Sequence, residues 1–391
     1  MSGDLKATSP IRLLEQLISG EQPYSEQGRG RRLGASVISF LGVLVAALVL
    51  ATPIVYLAGS NPIEAYGALL RGSLGGQQPI AESLISMTPL LFAGLAVAVA
   101  FQAGLFNIGA EGQLVMGGLV AGWIAAEVDV PAPLHLVTAI LAGFVGGALW
   151  AWIPAVLKAW RGVHEVITTI MMNFVAFSIS QYLVKPGGAL VSTTQPQATE
   201  RVASAAELPR IWDPTRLHAG IILALAVAVA MWFFLYRTPV GFRFRMVGSN
   251  PVAAEFNGIA TKRVIVQSLM LSGGLAGLAG AVEVLGVHRR YFDSFSPGYG
   301  FDSIAVALLG ALNPLGVAAA AAFFGMLRAG SIRLQSEAGL TRDMVTVISG
   351  LVVACVAAQP LVHRWRARRA ADRNGPATAD PAPEEEGLAS V

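Results

Sequence analysis

Runs of about twenty consecutive apolar residues recur through most of this chain, and no other feature restricts its fold as much. Inside hydrocarbon a backbone must satisfy its own N–H and C=O groups, so only helices or closed barrels cross a bilayer. A barrel strand needs about ten residues that alternate apolar and polar. These runs do not alternate. The chain is therefore expected to be all-α, a polytopic transmembrane helical bundle. The spans expected lie near residues 35–58, 84–104, 107–127, 134–157, 165–185, 218–236, 264–287, 302–312, 315–333 and 343–362. That is about 10 spans, with a range of roughly 8–11. As a helix, residues 302–312 would rise only about 17 Å against a hydrocarbon core of about 30 Å, so a broken or half-helix is expected near 302–316. Composition agrees: 13% of the 391 residues are charged, where soluble domains carry about 25%.

Charge sets the orientation. Of 27 Lys and Arg residues, 17 fall in segments expected in the cytosol and 9 in segments expected outside, with Arg328 inside a span. Cytoplasmic loops carry the excess of positive residues, so both termini are expected in the cytosol. Residues 1–34 read as a cytoplasmic segment. Within it Ile11, Leu14, Leu17 and Ile18 share one helical face, as in a short interfacial helix or merely a polar tail. Residues 35–362 form the transmembrane domain, with a cytoplasmic loop at 237–263 and an outer loop at 186–217. The tail, 363–391, opens with a basic cluster suited to anionic headgroups and ends rich in Pro, Ala and Glu, where disorder is expected. The first apolar run starts too late and runs too long for a cleavable signal.

Several features are quiet. The single cysteine, Cys355, excludes an internal disulfide and reads as a buried, inert thiol. The five histidines have no metal-ligand spacing. The outer loop has no catalytic pattern, and reads as a contact for an extracytoplasmic binding protein or as an uncommitted loop. The pairs Gly118/Gly122, Gly143/Gly147 and Gly273/Gly277 permit close helix crossings, within one bundle or between two chains.

Three polar stretches stand out. The first, residues 241–259, interrupts the apolar sequence with GFRFRMVGSNPVAAEFNGI. Ser249 or Asn250 would cap a helix with Pro251 in its first turn, residues 252–257 would form it, and Gly258 would end it. Such a helix, held between two spans, is shaped to dock; an ordinary basic loop is the plainer alternative. The second, residues 106–113, reads FNIGAEGQ. It puts Asn107, Glu111 and Gln113 at or inside a span, where unsatisfied polar groups are costly. Asn107 and Glu111 are spaced to share one helical face. The third, residues 298–316, places Asp302 or Ser303 at the start of a short helix and breaks it at Asn313-Pro314. Broken helices in transporters aim their ends at ligands. In addition, the span 165–185 carries Thr168, Thr169, Asn173, Ser178, Ser180 and Gln181 among Met171, Met172, Phe174 and Phe177. That suits either a path for a sugar or nucleoside or a hydrogen-bonded helix interface.

These stretches together resemble ABC importer permeases, in the branch that handles simple sugars, nucleosides and branched-chain amino acids. The likeness covers roughly residues 35–362. The first stretch resembles that family's coupling loop, which implies contact with an ATPase through Arg245, Gly248, Ser249, Asn250, Pro251, Ala254, Glu255 and Gly258. The second resembles the family's FNIGAEGQ signature and the third its late-chain signature. They imply a substrate pathway near Asn107, Glu111, Gln113, Phe301 and Asp302; the pathway reading of the span 165–185 adds Thr169, Asn173, Phe174 and Phe177. For Glu111 a structural role, pairing with a neighbouring helix, stands equally open. The resemblance implies ABC ATPase subunits, a second permease chain, an extracytoplasmic substrate-binding lipoprotein and surrounding membrane lipid as partners. It places the chain as a multi-pass protein of a bacterial plasma membrane. No Walker A loop is present, so no cofactor is expected in this chain and no enzymatic activity; ATP and Mg would bind the partner ATPase. No nucleic acid partner is implied. The rival is an ion-coupled secondary transporter acting without an ATPase. It needs essential acids inside the membrane, and those are few here.

Overall fold

A computed structural model of the protein describes residues 45–129 and 131–340, with residue 42 and isolated positions between 346 and 358. The expected interfacial helix in 1–34 and the tail 363–391 lie outside the described residues, as do parts of the first and last spans. The described residues are helical and contain no strand, only two isolated bridges.

The chain opens with α1 (Val45–Leu57) and α2 (Pro62–Leu74), which meet at 117°. The bend is local chemistry. Asn61 accepts a hydrogen bond from the Ile63 N–H, and Pro62 occupies the first turn of α2. The sequence reading has no element between 58 and 84. There α2 buries Ala65, Ala68, Leu69, Gly72 and Ser73, with Gly72 and Leu69 packed closely on Gly330. Next come α3 (Gln77–Gln102), α4 (Ala110–Glu127), α5 (Ala132–Arg161), α6 (Glu165–Val184) and α7 (Gly220–Arg237). The polar interruption holds α8 (Pro239–Ser249) and α9 (Pro251–Phe256). Last are α10 (Thr261–Val282), continued by a π turn (Glu283–His288), then α11 (Tyr299–Leu309) and α12 (Pro314–Ala338).

Six helices among the described residues are long and apolar enough to cross a membrane: α3, α5, α6, α7, α10 with its π turn, and α12. The bent α1–α2 pair makes up to seven. The count of about 10 is not reached here. α4 is diluted by Glu111, Gln113 and Glu127, and α11 has 11 residues.

The core runs along α3 and α10, the two most buried spans. The glycine pairs act within the bundle. A Cβ on Gly277 would overlap the Gly143 carbonyl oxygen, and one on Gly147 would overlap that of Gly273, so α5 and α10 cross backbone against backbone. Gly117 of α4 packs on Gly277 in the same way. The outward faces of α5 and α6 carry Val137, Leu141, Val145, Leu149, Ile167 and Met171. That is the reverse of a soluble helix.

The loop 186–219 is folded. It pairs with the strand-like exit of α10 through Thr199 N–H to Tyr291 O (2.9 Å) and Val202 N–H to Arg289 O (3.0 Å). Arg216 makes a two-pronged ion pair with Glu82 near the start of α3. At its end, just ahead of α7, His218 is buried against Gly286, and its Nδ1 accepts the Gly220 N–H at 3.2 Å. Burial holds the His218 imidazole down to about 4, from an ordinary 6.5. The neutral ring is the one that fits, so its contribution to stability is complete above about 6.5 and is lost as pH falls toward 4. Thermal unfolding of the purified protein should therefore shift downward between pH 7 and 4.5. His218→Asn, which keeps an acceptor for Gly220, should flatten that shift. An unchanged pH profile in the variant would show that His218 does not govern it.

Candidate functional site

At the end of the bundle opposite the 186–219 loop, the polar interruption folds into two short helices. Thr238 caps α8 by accepting the Gly241 N–H (3.1 Å), with Pro239 in the first turn. Residues 239–249 are thus helical, an element the sequence reading did not contain. Of the two caps considered for the next helix, Asn250 is the one used: its Oδ1 accepts the Ala253 N–H at 2.9 Å, while Ser249 ends α8. α9 covers Pro251–Phe256 rather than 252–257, and Gly258 leaves it with φ +75°.

This unit is anchored firmly on one side and bare on the other. Ala254 is fully buried, as are Phe244 and Val247 of α8, and Phe244 stacks edge-on against Phe234 of α7 at 5.6 Å. Gly248 lies against the end of α3 so closely that a Cβ would overlap the Gln102 carbonyl oxygen and crowd the Gly104 nitrogen beside it. Arg245 sits 5.2 Å from the Tyr236 ring. Facing away are Glu255, Val252 and Phe256, the last two 62% and 89% exposed one helical turn apart. Val252 and Phe256 are not among the motif residues. Their signal was available as an i, i+4 apolar pair in an otherwise polar loop.

The second stretch forms a buried polar knot. Gly104, with φ +72°, ends α3, and Asn107 lies in the link before α4 rather than on it. Asn107 and Glu111 therefore do not share a helical face. The Asn107 side chain is saturated. It donates to Gln113 Oε1 and to Ser272 Oγ, both at 2.8 Å, and accepts from Gly109 N–H and Gln113 Nε2. Ser272 in turn donates to Ala96 O of α3 (2.6 Å). Asn173 accepts the Gly112 N–H (2.9 Å) and donates to Ile108 O (3.0 Å). Thr169 donates to Glu165 O (2.8 Å). All of these side chains are buried. Phe174, exposed on the outside of α6, meets Phe177 edge-on at 6.4 Å, and Phe177 is half-buried against the core.

The third stretch forms the half-helix expected near 302–316. α11 begins at Tyr299 with Gly298 as its cap; neither Asp302 nor Ser303 caps it, because the chain enters the helix one turn earlier through the positive φ of Gly298. Its 11 residues rise about 16 Å, half the hydrocarbon core. The far end is at the α8–α9 end of the bundle, where Gln102 donates to Leu312 O (3.1 Å). Asn313 then caps α12 by accepting the Leu315 N–H (3.0 Å). Glu111 reaches the start of α11 and accepts the Gly300 N–H at 2.5 Å, so a buried carboxylate meets the positive end of the half-helix. Asp302 pairs with Arg328 of α12 at 3.2 Å. Arg328 was not among the residues singled out, since its partner is 26 positions away.

No solved structure matches the chain. The guanosine ABC transporter permease protein NupP of Bacillus subtilis (strain 168) is 37% identical over 334 residues, covering 84% of this chain and 94% of that protein. The glucose ABC transporter permease protein TsgB13 of Haloferax volcanii is 36% identical, covering 81% of this chain and 85% of its own. The nucleoside ABC transporter permease protein NupB of Lactococcus lactis subsp. cremoris is 33% identical, covering 82% and 90%. The model of the family described as branched-chain amino acid transport system / permease component matches residues 80–357. With its helical bundle, knotted signature and half-helix, the chain belongs to that permease family.

Proposed function

We propose that this chain is the membrane permease subunit of an ATP-driven importer for nucleosides, purine nucleosides first, or simple sugars. The observation that carries this is α9. It is a capped six-residue helix, seated in the bundle by Ala254, preceded by α8, whose Gly248 packs on the end of α3 at Gln102 and Gly104, and presenting Val252 and Phe256 outward. An exposed pair of this kind needs a partner surface, and an ATPase subunit is the partner that the resemblance supplies. Movement of that partner would be passed at the Gly248 contact to the most buried helix of the bundle. The residues assigned to this coupling are Arg245, Gly248, Ser249, Asn250, Pro251, Ala254, Glu255 and Gly258, and we add Val252 and Phe256. ATP and Mg would bind the ATPase. A second permease chain and an extracytoplasmic binding lipoprotein complete the assembly, in a bacterial plasma membrane with both termini in the cytosol. The excess of Lys and Arg on the α8–α9 side supports that orientation. The named relatives support a nucleoside or sugar substrate.

The test is purification of the tagged chain from its native membranes, followed by uptake of labelled guanosine and ribose into proteoliposomes with and without internal ATP. Co-purifying ATPase activity and ATP-dependent uptake are expected. A chain that arrives alone and moves solute on a proton or sodium gradient would be the secondary transporter instead.

A further inference from the structure

Charged side chains at the middle of a membrane helix face lipid only at a steep cost, so they turn to the bundle interior, to one another or to a water-filled path. Asp302 and Arg328 are such a pair. By the 1.5 Å rise per residue, Arg328 lies about 21 Å from the start of α12 and about 15 Å from its end, near mid-depth. Asp302 is in the first turn of the half-helix that begins at the same depth. Yet the Arg328 and Asp302 side chains are 24% and 39% exposed, and Phe301 beside them is 48% exposed. The outward residues of α5 and α6 named above are apolar. This patch is of a different kind from those faces.

We infer that Asp302, Arg328 and Phe301 form a solute-binding surface on the transport path, built for a neutral solute rich in hydrogen-bonding groups. The electrostatics select the ligand class. The Arg328 charge is matched by Asp302 at 3.2 Å, and the positive end of α11 is already met by Glu111. Neither is free to hold an anion. Hydrogen-bonding capacity nevertheless remains. One Arg328 N–H goes to Asp302 and one to Pro297 O (2.8 Å), leaving further guanidinium donors. Asp302 engages Arg328 through Oδ2, leaving Oδ1 to accept a hydroxyl. The guanidinium carbon lies 4.3 Å from the centroid of the Tyr299 ring, a cation–π contact that helps to hold the group in place. Phe301 offers a ring face for stacking. Paired hydroxyls beside a flat heterocycle match these groups; a carboxylate does not. This surface extends the permease reading and rests on it.

Two variants of the assembled transporter test it. In the first, Phe301→Cys is placed in a Cys355→Ser background, which leaves one thiol in the chain. A membrane-impermeant thiol reagent should modify it, and guanosine should slow the modification. In the second, Asp302→Arg is combined with Arg328→Asp. The swapped pair should restore folding and ATPase association lost in either single variant, while guanosine uptake stays about tenfold or more below the parent, as for losing a hydrogen bond to a charged group. A residue 301 thiol that resists reagent in every nucleotide state, or a swap that restores full uptake, would overturn the inference and leave the ion pair as packing. A parent transporter with no ATP-driven uptake would instead sink the permease reading, and the two failures are separable.

Discussion

Phe256→Asp is expected to separate this chain from its ATPase without unfolding it. Phe256 is 89% exposed at the end of α9, so the bundle loses nothing when the ring is removed. The helix itself is held elsewhere, by the Asn250 cap and the buried Ala254. An aromatic anchor at the centre of an interface commonly contributes about 2 kcal/mol or more, and a charge in its place adds desolvation cost. Association should therefore weaken by roughly 30-fold or more. ATP-driven uptake should fall with it, while the detergent-solubilised chain keeps its elution profile and melting temperature. Val252→Asp, one turn away on the same face, should act in the same direction. Glu255→Gln, a change of charge without loss of apolar area, should act less. Pull-down of the ATPase with purified variants reads all three. Equal retention of the ATPase by Phe256→Asp would show that the exposed face of α9 is not the docking surface.

The apolar runs were legible because membrane spans are long and simple: a helix in lipid has to be apolar for most of its length. What escaped the sequence depends on tertiary contact. α2 was invisible because its buried face is mostly small, with Ala65, Ala68, Gly72 and Ser73 around the single Leu69, and a contact such as Gly72 on Gly330 leaves little hydropathy signal. Asn107 and Glu111 were expected on one face because their spacing is helical. The structure instead bends the chain at Gly104 and spends Asn107 on the Gly109 N–H, Gln113 and Ser272. Position in the motif was right, and geometry was not inferable from it. Arg328 counted only as a charge inside a span until α11 and α12 brought it to Asp302. The short length of α11 was readable from the brevity of the run at 302–312 before Asn313-Pro314, whereas the use of Glu111 to meet its first turn was not. In each case the local pattern decided the helix, and a partner distant in sequence decided what the polar group does.

The glycine crossing between α5 and α10 makes the second large prediction. Lipid-facing surfaces gain little from tight helix packing by hydrophobicity, since the solvent is itself apolar; close backbone contact supplies the attraction instead. Gly143, Gly147, Gly273 and Gly277 bring the two backbones together, and Gly117 adds α4 to the same point. A side chain at Gly277 has nowhere to go, because the atoms it meets are backbone of Gly143 and Gly147 and not a movable side-chain end. Gly277→Leu should therefore force α5 and α10 apart and disturb α4, which carries Gly112, Gln113 and the contacts to Asn107 and Asn173. Overpacking costs about 1–3 kcal/mol, and more where backbone has to shift. A variant that aggregates on detergent extraction is the expected result, with Gly277→Ala intermediate between it and the parent. Leu149→Ala, on the exposed face of α5, should leave the extraction profile unchanged. Fluorescence size-exclusion profiles of the variants measure this order directly. If Gly277→Leu extracted and melted like the parent, the three-helix crossing would not be where the bundle gets its stability, and the glycines would owe their place to some contact outside the chain.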